Sequence, residues 1–362
     1  MLQTGYILGR NADLIWFLGL PYVVLLVALA CQQWLSAVAI AAVTLWITIP
    51  HHFATWVRAY GIAEDRQRWW GRLTFGPIVI FAMALLGLKF APITVVLLAI
   101  LWDKQHVLMQ QHGFARIYDF KAQSGAPSTS RFDLVLNWAL SLNLFLTSPL
   151  FTPIWLVGLY RLHLPLSAAA VRTLHGVSWA ATACVLLAYA CHVIWSLQAG
   201  YRLNPIKYVF LGSSYFMWYF LAWHTNAVLV FTIASALMHG IQYIVISYWY
   251  TRQRMTRSGN QTSWTARLVK PGNIVAFLMM CVFYAFVYQV LTGQPLEVFG
   301  LGYWQLQNTY SRPVRTLAEG TMSSKMAYDL FAAGIVELAS LTHFYFDSFI
   351  WKVSDAKTRE GL

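Results

Sequence analysis

Residues 102 to 119 read Trp-Asp-Lys-Gln-His-Val-Leu-Met-Gln-Gln-His-Gly-Phe-Ala-Arg-Ile-Tyr-Asp and continue an apolar run that begins near Ala91. Asp103, Lys104, His106 and His112 therefore fall in the second half of an expected membrane helix, where ionisable groups are costly and usually mark a pathway or a reaction site. At about 100° per residue Asp103, His106 and Gln110 share one helical face, and Gln105, Met109 and His112 form the neighbouring one. Three more apolar runs carry imidazoles with polar satellites at helical spacing. His51 and His52 stand in Pro-His-His-Phe-Ala-Thr-Trp, with Trp56 and Arg58 following; His239 is followed by Gln242 and Tyr243; His343 is followed by Tyr345 and, at i+4, Asp347, with Glu337 upstream. Such satellites can orient an imidazole through its second nitrogen, as metal sites require. Imidazole with some carboxylate suits iron, copper or zinc, and mixed N/O ligation with open positions is typical of oxygen-activating iron.

The elements that must position these groups follow from composition. The 362 residues are 59% hydrophobic, 16% aromatic and only 10% charged, the balance of a multi-pass membrane protein. Taking about 20 apolar residues as a span, ten segments qualify: 12–33, 36–58, 73–89, 91–114, 133–151, 168–198, 205–223, 225–250, 272–292 and 326–351. The expectation is an all-α, polytopic helical bundle of about ten transmembrane helices forming a single integral membrane domain over 1–362. Lys and Arg are unevenly divided between the two sides, about 18 on the side of the termini against about six on the other. The positive-inside rule then puts both termini in the cytoplasm, the loop Thr251–Pro271 inside and the segment Gly293–Lys325, with Arg312 and Arg315, outside. The net charge of +12 comes from basic residues scattered between apolar runs, without the stripe or motif of a nucleic-acid binder. Cys31, Cys184, Cys191 and Cys281 lie in apolar runs without CxxC spacing and read as packed thiols. The run after Arg10 has no small-residue cleavage site and reads as a retained first helix.

This topology turns the histidines into a layer. His51 and His52, His106, His239 and His343 lie about 14 to 17 residues into helices that run the same way, hence at one depth at about 1.5 Å per residue. That depth is the cytoplasmic half of the membrane. His112 and His192 sit a turn or two nearer the cytosol, whereas His163, His175 and His224 fall towards the outer face. A lone intramembrane histidine is more often a hydrogen-bonded packing residue, but four helices placing imidazoles at one depth, in a chain nearly free of other buried charge, would be an expensive accident. The expected metal-ligating set is His51, His52, Asp103, His106, His112, His239, Glu337 and His343, holding a transition metal, one or two iron ions, with copper or zinc compatible.

A histidine-rich site in the cytoplasmic half of a multi-pass protein resembles the integral-membrane fatty-acid desaturases and hydroxylases, which use histidine-held iron and dioxygen on lipid chains. It is also similar in arrangement to the bacterial membrane carotene-cleaving dioxygenases, where single histidines from separate helices gather around iron. The residues here, Gln-His-Val-Leu-Met-Gln-Gln-His at 105–112, His-Gly-Ile-Gln-Tyr at 239–243 and His-Phe-Tyr-Phe-Asp at 343–347, are not the HxxxH and HxxHH boxes of the desaturases, so the resemblance implies a class of chemistry and transfers no individual ligand.

The expected function is a non-haem metal oxygenase or oxidase in a bacterial-type inner membrane, acting on a lipophilic substrate among membrane lipids, with an electron-donor protein as partner. Tyr243 or Tyr345 would relay protons or hydrogen-bond an oxygen intermediate, and Asp347, nearer the interface, would orient His343 or admit protons. Zinc proteolysis is disfavoured because the chain has no HExxH. A haem-binding electron-transfer protein needs only two axial histidines and leaves the others unused. A proton- or metal-coupled transporter accounts for intramembrane His, Asp and Glu, but the chain has no internal repeat.

Overall fold

The computed structural model describes residues 1–258, 262–292 and 324–362. Fourteen helices are described: α1 (Arg10–Trp34), α2 (Ala37–Tyr60), α3 (Ala63–Arg68), α4 (Trp70–Phe90), α5 (Pro92–Ala122), α6 (Thr129–Thr147), α7 (Thr152–Arg161), α8 (Ala168–Gln198), α9 (Pro205–His224), α10 (Val228–Ser258), α11 (Trp264–Leu268), α12 (Ile274–Leu291), α13 (Ser324–Ile350) and α14 (Ala356–Arg359). Among the described residues there is no strand, only an isolated bridge between Leu2 and Leu203. All ten apolar segments expected from the sequence coincide with helices. Six of these, α1, α4, α5, α8, α10 and α12, are long and apolar enough to cross a membrane, and α6 with α7 adds a seventh if that pair, bent by 71°, is one span. The chain is thus a helical integral membrane protein. The expected outer segment Gly293–Lys325, with Arg312 and Arg315, lies outside the described residues except for its last two positions.

Local chemistry sets the helix ends. Ser36, Ser167 and Ser263 accept hydrogen bonds from the backbone N–H groups of Ala39, Ala170 and Ala266, and Asn204 accepts from Ile206 just before Pro205 opens α9. Each cap satisfies a donor the helix cannot satisfy internally. Pro50 lies inside α2, immediately before His51, and deprives the Trp46 carbonyl of its usual partner. On α4 the side chains of Phe75, Ile78, Met83 and Leu86 are more than half exposed. An apolar face of that size suits lipid and not water.

The chain divides into two compact units, each made of two chain segments. The first comprises Met1–Gln33 and Lys104–Ala234, and the second Trp34–Asp103 and Ser235–Leu362. In the first, the Asp13 carboxylate accepts N–H bonds from Ile7 at 2.7 Å and Leu8 at 2.9 Å, which pins the N-terminal segment. The Asn204 amide ties the same region down by donating to the carbonyls of Gly5 and Tyr118. Its buried core also holds an ionic network: Lys207 Nζ lies 2.9 Å from Asp119 and 3.1 Å from Asp133, and Arg116 reaches both carboxylates at 2.6 and 3.1 Å. Tyr189 donates to Asp133 at 2.8 Å.

In the second unit α13 packs on α2 and α4, and α12 packs on α2. Small residues allow the approach of α13 to α4: a Cβ at Gly76 would lie 2.5 Å from the Tyr345 ring, and one at Gly334 would lie 2.5 Å from Leu85. Close backbone contact through small residues is the usual way membrane helices gain dispersion energy. Two apolar clusters form along α2 and α13. Ile49, Ala285, Tyr288 and Ala339 make one, and Ala59, Trp69, Leu73, Phe346, Phe349 and Ile350 make the other. Between them, on both helices, lie the histidines.

Candidate metal centre

Three helices of the second unit each contribute a residue pair at i, i+4 spacing: His51 and Thr55 from α2, His239 and Tyr243 from α10, His343 and Asp347 from α13. Such pairs stand one turn apart on a single helical face. The first members meet in one layer and the second members in the next.

In the histidine layer, one ring nitrogen from each of His51, His239 and His343 lies within 4.8 Å of the other two, and all three residues are buried. The Nε2 atoms of His51 and His343 are 3.1 Å apart. The ring centroids are 4.7 Å apart for His51 and His239, 4.7 Å for His51 and His343, and 5.8 Å for His239 and His343. His52, also buried, places its ring 4.9 Å from that of His343.

The second layer decides which nitrogen of His343 faces the cluster. Tyr243 donates its hydroxyl proton to Asp347 Oδ1 at 2.6 Å and accepts from Thr55 Oγ1 at 2.9 Å and from Trp351 Nε1 at 3.2 Å. A phenol has one proton and two lone pairs, so this hydroxyl is saturated. Thr55 has spent its single proton on Tyr243, so towards His343 Nδ1, 2.6 Å away, it accepts. His343 therefore carries its proton on Nδ1 and turns the Nε2 lone pair towards His51. That is the tautomer in which a histidine binds a cation through Nε2 while its other nitrogen donates to a supporting acceptor.

A third layer closes the site at the next turn. The fully buried Arg58 donates to Asp65 at 2.5 Å and to the Ile350 carbonyl at 3.0 Å. Its guanidinium lies 4.2 Å from the Tyr250 ring centroid and 5.4 Å from that of Trp351. Asp65 matches its charge, both terminal nitrogens donate, and aromatic rings flank its faces, as a buried guanidinium demands.

Of the residues singled out from the sequence, His51, His239 and His343 come together with His52 alongside, and Tyr243 and Asp347 form their support. Asp103, half-buried on α5, acts electrostatically on His52 and on the buried Glu337. His106 and His112 belong to the first unit; His106 is buried, and His112 feels the charges of Asp133, Arg116 and Lys207. Tyr345 packs instead against Phe346, Phe349 and the backbone at Gly76, because two residues along α13 turn it about 200° from His343. Thr55 escaped the sequence reading. Its signal was present in the i+4 spacing from His51, the same spacing that picks out Tyr243 and Asp347. The chain matches no protein-family model, no curated protein and no solved structure.

Proposed function

We propose that the chain is a membrane metalloenzyme in which His51, His239 and His343 hold one transition-metal ion, and that it acts as a non-haem oxygenase or oxidase on a lipophilic substrate. The observation that carries this reading is the convergence of three buried imidazole nitrogens, one with its lone pair turned inward by a saturated hydrogen-bond chain. Metal–nitrogen bonds of about 2.1 Å put two ligand nitrogens about 3.0 Å apart at a right angle and about 3.4 Å apart at the tetrahedral angle. The 3.1 Å between His51 and His343 falls within that interval. Three neutral nitrogens suit iron, copper or zinc and leave open positions on the ion. A haem clamped by two of these histidines is disfavoured, since rings in mutual edge contact leave no slot for a macrocycle.

When bound, the ion supplies the redox chemistry towards dioxygen. The residues supply the rest. Asp347 holds the Tyr243 hydroxyl, and Tyr243, Thr55 and His343 Nδ1 form a continuous hydrogen-bonded path along which a proton can be held or passed one turn from the metal position. The apolar clusters on either side keep bulk water from the imidazoles.

The finer topology belongs to the same proposal: about ten spans, both termini cytoplasmic, in a bacterial-type cytoplasmic membrane, with an electron-donor protein docking on the basic cytoplasmic side. Coincidence of all ten apolar segments with helices supports the span count, and the excess of Lys and Arg on the side of the termini supports the orientation. An impermeant thiol reagent applied to intact cells should not label a cysteine placed at Ser258; efficient labelling would reverse the orientation.

Elemental analysis of detergent-purified protein tests the centre. Wild type should carry at least one transition-metal ion per chain without an intense Soret band, and His239→Ala and His343→Ala should lose most of it. Metal-free wild type, or full retention in both variants, would refute the assignment.

A further inference from the structure

A cleft of about 690 Å³ opens in the second unit where the ends of α2 and α10 meet α3 and α11. Its volume is in the range of small-molecule sites, about 300–1,000 Å³. The inner wall is aromatic and aliphatic: Phe53, Trp56 and Val57 from α2, with Ile62 and Met255. Tyr60 and Trp264, both exposed, stand at the mouth beside Ser258 and Ser263. Aromatic rings with a polar edge favour the boundary between hydrocarbon and water.

The charges around the cleft cancel. Arg254 is held by Glu64 at 2.6 Å and by Glu360, with Asp65 at 3.9 Å, and Arg58 is held by Asp65. Arg66 stands exposed at the rim and donates to the Tyr60 carbonyl. Of the charged groups lining the cleft, Arg66 and Arg254 are balanced by Glu64 together with the Glu360 that pairs with Arg254, and the buried Arg58–Asp65 pair behind them is neutral. An anionic or cationic head group gains no net attraction here, whereas an uncharged one finds hydroxyl groups and aromatic faces.

The wall shares α2 with the metal centre. Phe53 and Trp56 stand on α2 next to His52 and Thr55, and Trp56 follows His52 by four residues, about 6 Å along the axis. The Trp56 ring packs on Phe346, which lies in the apolar cluster beneath the histidine layer.

We infer that this cleft binds the substrate, and that the substrate class is an uncharged lipophile with a hydroxyl, phenol or carbonyl head, such as an isoprenoid or fatty alcohol or a quinone-type ring. Its apolar body lies against Phe53, Trp56 and Val57, and its head stays at Ser258 and Ser263. The inference rests on the proposed oxygenase or oxidase reading and names its substrate class.

A matched pair of diazirine-bearing probes, a long-chain fatty alcohol and the corresponding fatty acid, tests it on the full-length purified protein, with crosslinks mapped by mass spectrometry. The alcohol should label peptides spanning 53–66 and 254–265 about tenfold more than the acid, the ratio for about 1.4 kcal/mol of unpaired head-group charge. Ala63→Trp and Ser258→Trp, both at exposed rim positions, should cut that labelling at least about fivefold by filling the cleft while leaving metal content and elution profile unchanged. Equal labelling by the acid, undiminished labelling in both filled variants, or labelling spread evenly over the apolar helices would each overturn the inference. The two readings fail separately: selective labelling of metal-free protein keeps the cleft and sinks the metalloenzyme, while metal-loaded protein without selective labelling does the reverse.

Discussion

Thr55→Val is the most discriminating perturbation of the centre. Valine keeps the branched shape of threonine and the packing of α2, but it removes one oxygen that accepts from His343 Nδ1 at 2.6 Å and donates to Tyr243 at 2.9 Å. With that acceptor gone, the second layer loses the hydrogen bond from His343 Nδ1 that favours the Nδ1–H tautomer. His343 can then move its proton to Nε2 and donate to His51 Nε2, 3.1 Å away. A metal must reverse this shift to bind. The cost is that of one buried hydrogen bond, about 1–3 kcal/mol. Loss of an outer partner of a metal-bound histidine typically lowers affinity about 10- to 100-fold, or about 1.4–2.7 kcal/mol, which agrees. Competition against a chelator of known affinity should therefore show Kd rising by that factor in Thr55→Val. Thr55→Ser, which restores the hydroxyl, should return to within about threefold of wild type. Unchanged affinity in Thr55→Val, alongside metal loss in His343→Ala, would show that the hydroxyl does not set the tautomer.

Other perturbations separate chemistry from support. Tyr243→Phe and Asp347→Asn should keep most of the metal while lowering reductant-driven dioxygen uptake about 10²- to 10⁴-fold, the usual weight of a positioned acid–base group; loss of metal in Asp347→Asn equal to that in His343→Ala would make Asp347 a direct ligand. Lys207→Met leaves Asp119 and Asp133 buried beside one partly exposed Arg116, and should destabilise the detergent-solubilised protein by about 3–5 kcal/mol in thermal unfolding without changing metal content. The paired hydrogen bonds from Arg68 hold the Asp355 carboxyl below its ordinary value of 3.8. Its contribution to stability is therefore complete above that value and lost as pH falls through the lower native one. In Asp355→Asn the part of the acid-induced destabilisation that begins near pH 4 should disappear, and an unaltered profile would remove Asp355 from the account.

What the sequence determines by itself is the set of helices and much of their axial order. Long apolar runs become helices because in hydrocarbon a segment must satisfy its own backbone, and every run expected here is helical. The 1.5 Å rise per residue then fixes depth along each helix, which is why His51, His239 and His343 could be placed in one layer before any contact was known. The i+4 rule likewise links Tyr243 to His239 and Asp347 to His343. Rotation of each helix about its own axis, and its choice of neighbours, follow only from packing. Tertiary structure alone brings side chains of α2, α10 and α13 together and turns Tyr345 towards α4 and away from the histidines. It also assigns His106 and His112 to the first unit, makes Thr55 the link between His343 and Tyr243, and joins Lys207 to carboxylates 74 and 88 residues away. A periodic pattern specifies which face of a helix is polar, while the identity of the group opposite that face depends on interdigitation of side chains from distant segments, for which no local signal exists.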